Sequence, residues 1–152
     1  MHKLKAPKEI SNRSARYNFA IEQTYTAGMI LVGTEIKSLR GGQASFNDCF
    51  CIFDNGELFI KNLHIPQYKF GNNNNHEETR DRKLLLNRQE LRKIENKKKE
   101  KGFTIIPLRI FFSESGYAKI EIALAKGKKT YDKRDSIKKK DQERELKRQI
   151  KF

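Results

Sequence analysis

Apolar and polar residues alternate along a stretch near the start of the chain. Four apolar residues recur there at even spacing after Arg16: Tyr17, Phe19, Ile21 and Tyr25. This is the period of a half-buried β-strand. We expect Gly28 to end the strand and the apolar residues 29–32 to form a further short strand before the next glycine.

The same alternation returns at residues 117–125, without exceptions. One face of that stretch carries only apolar side chains: Ala118, Ile120, Ile122 and Leu124. The run before it, residues 103–112, is apolar on both faces and predicts a buried strand. Because Pro107 has no N–H to donate, it implies an edge or a β-bulge in that strand.

A β-hairpin is predicted in the middle of the chain. Residues 46–53 and 57–65 are both rich in apolar residues, and Asn55 and Gly56 lie between them. An Asn-Gly pair between two such runs favours the tight turn of a hairpin, in which both central residues have positive φ.

Two or three helices are predicted, of which two can be placed on the sequence. Residues 34–40 form a short helix with Thr34 as its N-cap, and the two glycines that follow end it. A longer helix begins near Arg88, because Asn87 and Glu90 have the spacing of a capping box. It runs to about Lys101 and turns Leu91 and Ile94 inward.

Together these patterns predict a mainly β protein. About six strands, a short helix after the second and a longer helix before the last two fit a small closed or nearly closed antiparallel barrel. The polar residues 72–76 predict a flexible loop.

The charge divides the chain into a body, residues 1–125, and a basic tail, residues 126–152. The chain carries 33 Lys or Arg against 19 Asp or Glu, a net charge of +14, and the tail holds 12 against 5. So basic a chain favours a polyanionic partner, first nucleic acid and second an anionic membrane. No stretch approaches about 20 apolar residues, which disfavours the membrane. The N-terminus lacks the apolar core of a signal peptide, so we expect a cytoplasmic protein.

Catalysis is weakly supported by the sequence. Cys49 and Cys51 are the only cysteines, and two residues apart on a strand they are too distant for an unstrained disulfide. No nucleophile elbow, zinc motif or phosphate-binding loop occurs. Without these motifs, we predict a protein that is not an enzyme and needs no cofactor. The scattered carboxylates Glu35, Asp48 and Glu57 leave a metal-dependent nuclease as an alternative.

Nucleic-acid binding is better supported, because basic residues cluster at the ends of predicted elements. On a barrel these clusters can merge into one face: Arg13 and Arg16; Lys37 and Arg40; Arg80, Arg82 and Lys83; Lys126, Lys128 and Lys129. A phosphate backbone would bind such a face with an affinity that falls steeply with salt. A general OB-type RNA chaperone or ribosome-assembly protein remains an alternative reading.

Several phrases resemble one family, the small protein B (SmpB) proteins, the bacterial partners of transfer-messenger RNA. They occur in the family's order and cover nearly the whole chain: NRSARYNFAIEQ at 12–23, GTEIKSLRGG at 33–42, RDRKLLLNRQEL at 80–91, GFTIIPLRIFF at 102–112 and AKGKKTYDKR at 125–134.

The resemblance implies an OB-like β-barrel that binds the tRNA-like domain of transfer-messenger RNA. It implies delivery of that RNA, with elongation factor Tu bound to it, to a stalled 70S ribosome. The tail would then occupy the decoding centre and the empty messenger channel in trans-translation. No membrane partner is implied.

Positions that match the family's motifs supply the expected sites. The resemblance implies that the RNA face includes Asn12, Arg13, Arg16, Glu35, Lys37, Arg40, Lys83, Leu85 and Lys119. The charges of Arg80 and Arg82 add these two residues to the RNA face. Lys126, Lys128 and Lys129 begin the tail. The expected ribosome contacts are Tyr131, Asp132, Lys133, Arg134, Lys138, Lys139, Lys140, Arg144, Lys147 and Arg148.

Two positions depart from the family. Thr26 stands where many members have an acidic residue, and Tyr131 stands where many have His. A tyrosine ring can stack on a base as a histidine ring does, but it cannot be protonated. The tail has opposite charges at i,i+4 and no apolar stripe, which predicts a segment that is disordered alone and helical against RNA.

Overall fold

The computed structural model describes residues 9–71, 74–100 and 102–128, together with Arg144. Among these residues the chain forms seven strands and three helices. In chain order they are β1 (Ile10–Ser11), α1 (Ala15–Asn18), β2 (Phe19–Met29), α2 (Gly33–Arg40), β3 (Phe50–Asp54), β4 (Glu57–Lys61), β5 (Arg82–Leu85), α3 (Arg88–Lys98), β6 (Phe103–Phe112) and β7 (Ala118–Gly127).

The seven strands form one antiparallel sheet that closes on itself. Their order is β1-β6-β3-β4-β5-β2-β7, and β6 also pairs with β7. Six strands therefore form a ring, and β1 adds to it by pairing Ile10 with Ile110 of β6. Closure leaves the ring without free edges. The mainly β, OB-like barrel predicted from the sequence is confirmed.

The apolar residues separate into two clusters on the two sides of the barrel wall. The larger cluster contains the alternating face predicted for β7 and draws in Leu39 of α2 and Ile94 of α3. The smaller one joins α1 to the other face of β6 and β7 through Ala15, Ile106 and Ala123. Both faces of β6 are therefore covered, as its continuous apolar run predicts.

The local signals for the hairpin and the bulge are confirmed. Asn55 and Gly56 have φ of 51° and 78°, and Asp54 pairs with Glu57 across the turn. The register between β6 and β7 shifts just after Pro107, which is where a residue without an N–H interrupts a ladder.

Helix α3 begins as predicted, at Arg88. The side chain of Asn87 accepts a hydrogen bond from the N–H of Glu90 at 2.8 Å, and Ile94 is fully buried. The helix ends at Lys98, three residues earlier than the predicted Lys101.

Two expectations about the strands were wrong, and one strand was not predicted. Strand β2 does not end at Gly28 but runs through it to Met29, because Gly28 pairs with both neighbouring strands and Met29 pairs with Leu84 of β5. Residues 30–32 form no strand. Conversely, residues 82–85 form β5, a strand that the sequence reading did not assign.

Two side chains in the segment predicted to be a flexible loop are fixed by hydrogen bonds. Asn75 accepts from the N–H of Tyr68 at 2.9 Å and donates to its carbonyl at 2.7 Å. His76 is buried and bonded on both ring nitrogens.

Candidate nucleic-acid interface

Three neighbouring strands place Leu85, Gly28 and Lys119 in one row on the outside of the barrel. Gly28 of β2 lies opposite Leu85 of β5 on one side and opposite Lys119 of β7 on the other. A Cβ atom at Gly28 would lie 3.4 Å from the Cβ of Leu85 and 3.7 Å from Nζ of Lys119. The missing side chain therefore lets an exposed leucine and an ammonium group approach each other across the strand.

Lys83 extends this row along β5. Side chains alternate along a strand, so Lys83 and Leu85 face outward while Leu84 is buried. Nζ of Lys83 lies 2.9 Å from a carboxylate oxygen of Glu57, and both side chains are partly exposed. An exposed ion pair of this kind contributes little to stability and can exchange its partner for a phosphate.

Helix α2 carries two further cationic side chains, Lys37 and Arg40. They are three residues apart on the helix and both are exposed. The guanidinium carbon of Arg40 lies 5.6 Å from the ring centroid of Phe112. Phe112 follows Phe111, whose partner on β7 is Lys119. Arg40 therefore lies at the end of β6, close to the strand position that Lys119 occupies on β7.

We call this surface the basic face. Its members are the exposed or half-exposed residues of α2, β5, β2 and β7 described above: Gly28, Lys37, Arg40, Lys83, Leu85 and Lys119. It combines three kinds of group that suit RNA, namely ammonium and guanidinium groups for phosphates and one exposed apolar side chain, Leu85.

Two residues predicted to contact RNA are instead inaccessible. Glu35 and Arg82 are each 0 % exposed, and Nε of Arg82 donates to a Glu35 carboxylate oxygen. Arg82 also donates to the carbonyl of Leu63 at 2.6 Å. The expectation of direct RNA contacts from these two side chains is corrected, because burying a charge requires the internal partners that occupy them.

Arg80 is partly committed to the same carboxylate. Its Nε donates to the two Glu35 oxygens at 3.1 and 3.2 Å, and its Nη2 donates to the carbonyl of Ile30 at 3.4 Å. Arg80 therefore fixes the end of β2 to the start of α2, and the side chain is about a third exposed.

Glu35 also caps α2. Its carboxylate accepts from the N–H of Val32 at 2.9 Å, whereas the predicted cap, Thr34, bonds to the ring of His76. Burial alone would raise the pKa of the Glu35 carboxyl, but hydrogen bonds from Arg80, Val32 and Arg82 together hold that pKa below its ordinary value. The charged carboxylate thereby orients the helix that carries Lys37 and Arg40.

The remaining predicted RNA-binding residues of the described ranges lie around α1, at the other end of β2. Arg13 and Arg16 are exposed there, and the N–H of Lys128 donates to the carbonyl of Asn18 at 2.9 Å. Lys126 lies over the ring of Phe103, at 4.4 Å from the centroid.

Asn12 is used internally in this region. Its side chain donates to the carbonyl of Pro107 at 2.8 Å. Together with Arg13 and Phe19, it lines an open groove of about 1030 Å³.

The predicted residues thus form two groups and not one face. Phe19 and Gly28 are at opposite parts of β2, nine residues or roughly 30 Å apart along the strand. The basic face lies near Gly28, and the group around α1 lies near Phe19. The sequence could not reveal this division, because it depends on which ends of the barrel strands each loop joins.

The sequence does not predict that Gly28 belongs to the basic face, or that Phe111 lies opposite Lys119, one of its members. Gly28 was interpreted as the end of a strand, although a glycine inside a strand pattern also indicates a close approach of neighbours. Phe111 was placed in a strand buried on both faces, yet it is only half-buried.

Most of the predicted tail contacts lie outside the described residues. These are Lys129, Tyr131, Asp132, Lys133, Arg134, Lys138, Lys139, Lys140, Lys147 and Arg148. Arg144 is described and is exposed.

The carboxylates considered for a metal site do not converge within the described ranges. No group of three or more His, Cys, Asp or Glu is arranged there to hold a metal ion. In the same residues, no helix has the length and apolar character needed to cross a membrane.

The closed antiparallel barrel and its basic face define a small OB-like barrel protein of the nucleic-acid-binding kind. A family model described as SmpB protein matches residues 9–152, so the chain belongs to the SmpB protein family.

Similar proteins agree with this assignment. An SsrA-binding protein of Phocaeicola vulgatus is 54 % identical over 95 % of this chain and 97 % of its own. One from Geobacter sulfurreducens is 52 % identical over 90 % and 88 %. A solved chain from "tmRNA-SmpB: a journey to the center of the bacterial ribosome" is 47 % identical, with a TM-score of 0.69 over 80 % of this chain and 85 % of that one.

Proposed function

We propose that this protein is an RNA-binding adaptor for ribosome rescue by trans-translation. It binds the tRNA-like domain of transfer-messenger RNA through the basic face and delivers that RNA to stalled ribosomes. The proposal rests on the row of Leu85, Gly28 and Lys119, together with the exposed Lys37 and Arg40 of α2, in a chain whose relatives are SsrA-binding proteins.

The chemistry of the basic face suits a folded RNA. Lysines and an arginine meet phosphates, and the exposed edge of Leu85, 49 % accessible, provides apolar contact with a base or ribose. Lys83 would exchange Glu57 for a phosphate on binding. No step in this role requires a bond to be made or broken, so the protein acts as an adaptor and not as an enzyme.

The tail, residues 126–152, is assigned to the ribosome. It carries 12 Lys or Arg against 5 Asp or Glu, which suits a groove walled by phosphates. In this proposal it occupies the decoding centre and the vacant messenger channel, disordered alone and helical when bound. Elongation factor Tu joins the complex through the shared RNA, and the whole process takes place in the cytoplasm.

Direct binding measurements test the role of the basic face. Arg40→Ala and Lys83→Ala should each weaken binding of a transcript of the tRNA-like domain. Each should also reduce the slope of log K against log salt by about 0.7–0.9 for every phosphate that the variant no longer neutralises. Lys99→Ala, an exposed lysine after α3, is the matched control. Unchanged affinity in both test variants would reject the basic face as the RNA site.

A truncation tests the division of labour between body and tail. Deletion after Arg134 should leave binding of transfer-messenger RNA nearly intact and abolish tagging on stalled ribosomes. Loss of RNA binding would contradict the division.

Equal affinity of the full chain for an arbitrary single strand and for the tRNA-like domain would instead indicate a general RNA chaperone.

A further inference from the structure

Phe70 is an exposed aromatic residue that the basic face does not include. Its side chain is 72 % accessible, more than that of any other large apolar residue described in the structure. Tyr68 meets it edge-on, with ring centroids 5.6 Å apart and an interplanar angle of 69°. One flank of the Phe70 ring is thus supported while the ring remains open to solvent.

The turn that carries Phe70 is held by hydrogen bonds. The N–H of Gly71 donates to the carbonyl of Tyr68 at 2.9 Å, which places Lys69 and Phe70 at the two central positions of a β-turn. Asn75 then bonds to both the N–H and the carbonyl of Tyr68. The aromatic pair therefore stands on a braced turn.

The same segment is attached to α2 at two points. The hydroxyl of Ser38 donates to the carbonyl of Pro66 at 2.7 Å. The ring of His76 bonds to the hydroxyl of Thr34 at 2.9 Å and to the carbonyl of Ile65 at 2.8 Å. Because a carbonyl only accepts, Nε2 of His76 carries a proton and donates it to the carbonyl of Ile65.

Cationic groups surround the aromatic pair. Nζ of Lys69 lies 5.8 Å from the ring centroid of Phe70. Nζ of Lys37, a member of the basic face, lies 5.2 Å from that of Tyr68. Within the described part of the chain, neither lysine forms an ion pair with an acidic side chain. A ring for stacking beside ammonium groups for phosphates is the combination that single-stranded nucleic acid favours.

We propose that Tyr68, Lys69 and Phe70 form a stacking platform for an unpaired base of the bound RNA. The base lies on the open side of the Phe70 ring, and the adjoining phosphates meet Lys69 and Lys37. This inference rests on the proposed RNA-binding function and adds a second kind of recognition to it. The platform would bind an unpaired base, whereas the basic face binds the phosphate backbone. The braced turn keeps the ring in place before RNA arrives, which lowers the entropic cost of stacking.

Substitutions at Phe70 separate stacking from charge and from simple hydrophobic contact. Phe70→Ala and Phe70→Leu should each weaken binding of a tRNA-like-domain transcript by roughly five- to 150-fold, with an unchanged salt slope. Phe70→Trp should retain affinity. Lys69→Ala should instead lower the salt slope by about 0.7–0.9. Phe50→Ala removes an exposed phenylalanine from the groove that Asn12 and Arg13 line, and shows whether the loss of affinity is confined to the platform.

Phe70→Trp also reports stacking directly. The chain contains no tryptophan, so the variant carries a single indole whose fluorescence a stacked base quenches. Strong quenching at stoichiometric RNA supports the platform. An unquenched indole in the bound complex, or wild-type affinity of both Phe70→Ala and Phe70→Leu, overturns it. Arg40→Ala and Lys83→Ala in the same assay test the basic face alone, so failure of the platform and failure of the proposed function give different results.

Discussion

Arg82 and Glu35 form an ion pair in the protein interior, although 47 residues separate them in the sequence. Neither side chain has accessible surface. The pair ties strand β5, which carries Lys83 and Leu85, to helix α2, which carries Lys37 and Arg40. Two parts of the basic face are therefore held in a fixed relation by residues that cannot touch RNA themselves.

Loss of the Glu35 charge should destabilise the fold. Glu35→Gln leaves the buried Arg82 guanidinium without its anion, and breaking a buried pair in this way costs about 3–5 kcal/mol. We expect a decrease of that size in the free energy of unfolding, measured by urea denaturation. Glu57→Gln is the control, since the exposed Glu57–Lys83 pair contributes at most about 1 kcal/mol. Equal effects of the two substitutions would contradict the structural role of Glu35.

The same pair predicts a dependence of stability on pH. The pKa of Glu35 is lower in the folded protein than its ordinary value of 4.5. Ionised Glu35 therefore contributes stability above about pH 4.5, and the contribution is lost as the pH falls through the folded pKa. The difference in unfolding free energy between the wild type and Glu35→Gln should shrink below about pH 4.5. A difference that stays constant down to about pH 3 would be inconsistent with this linkage.

The N-cap of α3 should be worth a measurable amount of stability. Asn87→Ala removes the acceptor for the N–H of Glu90, which costs about 1 kcal/mol. Asn96→Ala changes the same residue type at an exposed position inside the helix, where alanine is the better helix former. Urea denaturation should show a loss for the first variant and none for the second. A loss of equal size in both would remove the cap as the cause.

Both thiols should be unreactive in the native protein. Burial raises the pKa of Cys49 to about 12, and burial also raises the pKa of Cys51. At pH 8 the ionised fraction of Cys49 is then on the order of one in ten thousand. A colorimetric thiol reagent should modify neither cysteine in the folded protein and both after unfolding in urea. Rapid modification of the native protein would show that this part of the barrel opens.

The Asn55–Gly56 hairpin, the bulge after Pro107 and the start of α3 could all be predicted from a few neighbouring residues. Each depends on a property of the backbone at that point: positive φ in the turn, a missing N–H, or a side-chain acceptor for an N–H three residues later. The predicted number of barrel strands was also correct, but one expected strand, residues 29–32, was absent and β5 was missed.

Strand β5 illustrates why the rest could not be predicted. Residues 82–85 read Arg-Lys-Leu-Leu, and an arginine at an inward position does not fit the apolar alternation of a half-buried strand. It becomes an inward residue only because Glu35 and the carbonyls of Leu63 and Glu78 surround it. Those partners lie on other elements, and their positions follow from closure of the barrel.

The sequence by itself determined the alternating strands, the local turns and caps, the basic character and the family resemblance, because each is encoded in composition or in residues close together along the chain. Only the tertiary structure decided that Arg82 and Glu35 are buried, that Gly28 lies between Leu85 and Lys119, and that the basic residues form two groups. Those outcomes depend on contacts across the closed barrel, where burial and pairing are set by residues distant in sequence.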